Sequence, residues 1–122
     1  MAAVAAYNAG QANVDDNVLH TPAGTYRAMT IRVFDPSASQ WSIFWIDSRY
    51  PPSRIESPVV GGFAGGRGLF FSDDEWEGRP VRTRFVWQID DPDACRWEQA
   101  LSPDGGVSWE TDWYMDFERV VR

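Results

Sequence analysis

A chain of 122 residues, 43% of them hydrophobic, is long enough for one domain that buries roughly two thirds of its unfolded surface. The formal net charge is −7 and all eleven basic residues are arginine. That argues against nucleic acid and anionic membranes as partners, and it removes lysine Schiff-base chemistry and a phosphate-loop lysine. The single Cys95 excludes an intramolecular disulfide, and no apolar run nears the ~18 residues of a membrane span, so a soluble cytoplasmic protein is expected.

Residues 1–16, rich in Ala, Asn and Gly, read as a flexible or partly ordered segment, and residues 17–122 as the folded domain. Ahead of Thr25 only residues 17–20 look capable of a short strand. Over residues 25–34, Met29, Ile31 and Val33 alternate with Ala28, Thr30 and Arg32, which predicts a strand. A second follows over 41–47 after the Asp35-Pro36-Ser37 turn, rich in aromatic and β-branched residues. Pro51, Pro52 and Pro58 make 48–58 an irregular loop, because proline offers no amide donor. Strands over 59–64 and 67–72 flank a Gly65-Gly66 turn; 73–79 is a charged turn, 80–89 a long strand and 90–94 a turn. The strands over 95–102 and 109–121 pair across Pro103-Asp104-Gly105-Gly106. Seven strands at this spacing predict an all-β antiparallel meander.

Several motifs follow one another in a familiar order: Gln11 to Asn17, Trp41 to Asp47, the Gly-rich stretch through Phe70 and Phe71, Gly78 to Arg82, Arg96 to Ala100, and Trp109 to Trp113, continuing through Met115, Phe117 and Arg119. In this order the chain resembles a bacterial family of uncharacterised calycin-like proteins, relatives in fold of lipocalins and fatty-acid-binding proteins. The resemblance implies a calycin-like β-barrel with a pocket and brings no catalytic motif. Members open with strands carrying a Gly-x-Trp element, and none precedes Asn13 here. A closed small barrel needs about eight strands. The expectation is therefore either an incomplete barrel that two chains close by dimerising across an open edge, or a frayed tail beside a partly open barrel.

Candidate chemistry is sparse. His20 is the only histidine, which excludes a His-cluster metal site, and a solvent-facing strand end suits it best. Cys95 reads as an inert thiol. The acidic runs 73–75 and 90–93 lack the spacing of a calcium loop, and the glycines of 61–68 precede neither helix nor lysine, so no metal or cofactor is called for. On the hairpin of 80–102, Phe85, Trp87 and Trp97 share an inward face with Gln99, while Arg84 and Glu98 would pair across strands outside. The plain reading is a core with exposed ion pairs. The functional reading makes Trp45, Phe85, Trp87, Trp97 and Trp113 line a pocket for a small hydrophobic or aromatic molecule, oriented by Gln99 with Tyr114 or Asp47. Three functions stay open: a noncatalytic binding module; a cofactor-free cyclase, isomerase or hydrolase using Asp47, Glu98 or Glu110 as general acid or base; and an interaction protein using an open sheet edge. A pocket carboxylate with a raised pKa favours the enzyme, a filled core the interaction protein, and an apolar cavity the carrier.

Overall fold

The computed structural model describes the backbone of residues 2–8 and all of residues 12–49 and 56–120. Pro51 and Pro52, the heart of the expected irregular loop, lie outside the described residues. Among the described residues nine strands run in chain order: β1 (Ala2–Asn8), β2 (Ala12–Thr21), β3 (Gly24–Asp35), β4 (Gln40–Asp47), β5 (Val59–Ala64), β6 (Arg67–Trp76), β7 (Arg79–Asp91), β8 (Ala94–Ser102) and β9 (Glu110–Glu118). The protein is all-β and antiparallel, with no helix among the described residues. It divides into two compact units, Met1–Pro58 and Val59–Arg122.

The first unit is a meander, β1 to β2 to β3 to β4, each strand antiparallel to the next. The expected short strand over 17–20 is in fact the ten-residue β2, and β1 pairs with it from Ala2 opposite Val18 to Asn8 opposite Asn13. The opening hairpin is therefore present. The vacant edge that made dimerisation attractive does not exist at β3.

The burial of this sheet reverses what hydrophobic alternation suggests. Directly opposed residues share a face, so Asn17 with Ala28, Leu19 with Tyr26, and Thr30 with Trp45 lie on one side. That side is the buried one: Asn17, Leu19, Tyr26, Ala28, Thr30, Ile43 and Asp47 are all buried. Met29 and Val33 on the other side stand 41% and 43% exposed. The polar members are tolerated inside because they satisfy one another. The Asn17 amide donates to Asp15 at 2.7 Å and reaches Thr30 Oγ1 at 3.4 Å, while Arg32 pairs with Asp15 at 2.8 Å and donates to Asn13 at 3.0 Å.

The second unit is a five-stranded meander from β5 to β9. Its tight turns follow turn chemistry: Gly65 and Gly66 both take positive φ between β5 and β6, as the mirror-image two-residue hairpin turn requires. The charged turn expected over 73–79 is shorter than its sequence suggests. Asp73, Asp74 and Glu75 continue β6 opposite Arg82, Val81 and Pro80, and only Glu77 and Gly78 turn, both at positive φ. Cross-strand pairing of the Asp73 and Arg82 side extends the ladder where charge density alone suggested a break. Close approach fixes another glycine: a Cβ on Gly61 would sit 1.8 Å from the carbonyl oxygen of Leu69. Phe70, opposite Gly61 and Phe85, is fully buried and meets Phe63 edge-on with centroids 5.6 Å apart.

Candidate functional site

Register on β7, β8 and β9 gathers the aromatic residues of the second unit. Trp87 lies opposite Trp97, Phe85 opposite Gln99, and Gln99 opposite Trp113, so these five side chains share one face. Trp97 is the hub. Only 5% exposed, it meets Phe85 at 4.9 Å and Trp113 at 5.1 Å between centroids, both edge-on as ring quadrupoles prefer. Trp87 continues the surface to Phe117 at 5.8 Å. Phe85, Trp87, Trp113 and Phe117 are half-buried, so each presents part of a ring outward. Gln99 donates to both oxygens of Asp112 at 3.2 Å, which places a polar edge beside the rings.

Sequence reading missed Met115 and Phe117, although the period of two running from Trp113 marks both. The same period separates Tyr114 from the group: it is 59% exposed on the opposite face, under the Arg96 guanidinium at 4.7 Å. Tyr114 cannot orient a molecule lying against Trp97. Glu98 shares that opposite face, registered against Val86 and Tyr114, and Glu110 is exposed at the start of β9. The expected Arg84 to Glu98 pair is also replaced, because Arg84 registers against Ala100 and its guanidinium lies over Trp109.

Trp45 and Asp47 belong to the first unit and form their own cluster there. The buried Asp47 accepts from the Trp45 indole at 3.1 Å, from the Arg49 amide at 2.9 Å and from the Arg49 guanidinium at 2.6 Å. Arg49 in turn covers the Tyr26 ring, 3.8 Å from its centroid. Burial pushes the Asp47 carboxyl upward, but the Arg49 and Trp45 hydrogen bonds outweigh it and hold the pKa below the ordinary carboxylate value. Such a group stays ionised and engaged near neutrality. A general acid needs the opposite shift.

His20 is exposed at the end of β2, its Nδ1 3.0 Å from the Thr25 hydroxyl. Burial, and secondarily the charge of Asp116, push the Cys95 thiol up, so it is a poor nucleophile. Among the described residues no group of three or more His, Cys, Asp or Glu side chains is placed to hold a metal ion, and no helix is long and apolar enough to cross a membrane. A cleft of about 670 Å³ opens at the β6–β7 turn beside Trp76, Arg79, Pro80, Val81 and Pro103, and none of the rings of the aromatic face lines it. Comparison with protein-family models, with curated proteins and with solved structures gives no match to this chain.

Proposed function

We propose that the second unit binds a small, largely apolar ligand against the face of Phe85, Trp87, Trp97 and Trp113, with Gln99 as the hydrogen-bonding edge. A calycin-like barrel is the architecture that suits this reading, and the all-β antiparallel meander is compatible with it. One observation carries the proposal: a buried tryptophan is ringed by aromatics that are only half covered, an arrangement that leaves apolar area for a flat molecule while keeping the ring positions fixed. Nothing comparable supports catalysis. Glu98 lies on the reverse face, Glu110 is exposed at the start of β9, and the Asp47 carboxylate is engaged by Trp45 and Arg49 in the other unit. Titration with a neutral solvatochromic dye such as Nile red tests the proposal. Saturable binding that quenches tryptophan emission supports it, and the absence of saturable binding at micromolar protein rejects it.

A further inference from the structure

The reverse face of the second unit carries a different chemistry. Arg82 and Arg84 project from β7 on the same side, about 6.6 Å apart along the strand, opposite the small buried residues Ser102 and Ala100. Each guanidinium is laid on a ring: Arg82 lies 4.6 Å from the Phe71 centroid and Arg84 4.5 Å from that of Trp109. The two rings themselves are 6.0 Å apart. Trp109 is brought there by the β8–β9 loop, which is tied by its own hydrogen bonds. The Ser102 hydroxyl donates to Asp104 at 2.7 Å and accepts from the Gly106 amide at 2.8 Å, and Asp104 accepts from the Ser108 amide at 2.9 Å. The loop then closes so tightly that a Cβ on Gly106 would come 3.3 Å from Arg82 Nη1 and 3.5 Å from the Trp109 ring.

Charge pairing here differs from that of five other arginines. Arg27, Arg32, Arg49, Arg96 and Arg119 each sit within hydrogen-bond reach of an aspartate. Arg84 has no carboxylate partner among the described residues, and Arg82 has only Asp73 at 3.6 Å, beyond a good hydrogen bond and 87% exposed. The Nε atoms of both arginines are buried without a hydrogen-bond acceptor. Two ring-mounted guanidiniums on the same side of one strand, neither held by a carboxylate at good hydrogen-bond distance, form a fork for oxygen anions, since guanidinium geometry matches carboxylate and phosphate.

We infer that Arg82 and Arg84, braced by Phe71 and Trp109, form a binding site for a small oxyanion, a carboxylate or phosphate group whose attached ring or chain lies along Trp109. The site is independent of the aromatic face on the other side of the sheet.

The test follows the Nε–H resonances of arginine in ¹⁵N-labelled full-length protein at low ionic strength, titrated separately with inorganic phosphate and with benzoate. Saturable shifts of the Arg82 and Arg84 signals are expected with at least one probe, weakening as salt is added. Phosphate alone identifies a phosphoryl group as the recognised anion, benzoate alone an aryl carboxylate that uses the Trp109 ring, and both a general oxyanion site. Arg84→Gln should weaken the bound probe by about tenfold or more, while Arg27→Gln, in the other unit, leaves it unchanged. The titration of the parent protein decides the matter even if a variant folds poorly. Absence of a saturable shift with either probe, or undiminished binding in a folded Arg82→Gln/Arg84→Gln protein, overturns the inference.

Discussion

Truncating Trp97 is the perturbation that most sharply separates hub from surface. The side chain is 5% exposed, so nearly all of the ~200 Å² typical of a tryptophan is removed from water. At ~25 cal/mol per Å² that amounts to about 5 kcal/mol, of which alanine retains a small part, and large-to-small core substitutions of this kind cost about 3–5 kcal/mol. Edge-on contacts to Phe85 and Trp113 add about 0.5–1.5 kcal/mol each beyond area, so the loss should fall at the upper end of that range. Domains of this size are stable by only about 5–15 kcal/mol. Trp97→Ala is therefore expected to lie near the margin of folding, and Trp97→Phe to recover about half the loss. Urea unfolding followed by far-UV circular dichroism reads this directly. With a slope of about 1–3 kcal/mol per M, the midpoint should drop by about 2 M. A Trp97→Ala protein that loses under about 1 kcal/mol refutes the assignment of Trp97 as the buried centre of the face.

Three further expectations follow from single features. Asp104 is held at a pKa of about 2, first by the Ser108 hydroxyl and amide and then by the Ser102 hydroxyl. A carboxyl lowered in the fold contributes stability above its ordinary value of 3.8 that is lost as pH falls toward about 2, and Asp47 acts in the same direction; acid titration of Asp104→Asn should accordingly show a flatter stability profile between pH 4 and pH 2 than the parent. Gly61→Ala should destabilise by about 1–3 kcal/mol, as overpacking does, because the added methyl meets the Leu69 carbonyl; a thermal melt that does not fall counts against the close β5–β6 approach. Tyr114→Ala should leave Nile red affinity unchanged, since its ring is on the face opposite Trp97, and a clear loss of dye binding would show that the faces are misassigned.

What could be read from the sequence depended on how directly a residue's chemistry reports its environment. Turns were legible because the glycines of Gly65-Gly66 and of Pro103 to Gly106 reach positive φ without the steric cost other residues bear. The aromatic face was legible because Phe85, Trp87, Trp97 and Gln99 alternate in step with the pleat. Tyr114 failed the same test, and its odd spacing from Trp113 was the available clue. The opening hairpin was hidden for a different reason. In β2 the buried positions are Asn17 and Leu19, with Asp15 and Asn13 on the same side, so the hydrophobic alternation that marks a half-buried strand is inverted. Only the partners Thr30 and Arg32, twelve or more residues away, make those polar groups acceptable inside. The ring-mounted arginines were equally invisible, because Trp109 reaches Arg84 through the loop of Ser102 to Ser108 and no local pattern records that contact.

Ligand binding on the half-covered rings around Trp97, proposed above, is open to a direct mutational test. Trp87→Ala tests it most directly, because Trp87 contributes ring surface at the edge of the group and leaves the Phe85, Trp97 and Trp113 contacts in place. Nile red affinity measured by fluorescence titration, in protein whose folding is verified by a cooperative thermal melt, should fall about tenfold, equivalent to about 1.4 kcal/mol. Unchanged affinity in the folded variant would return the aromatic face to a purely structural role.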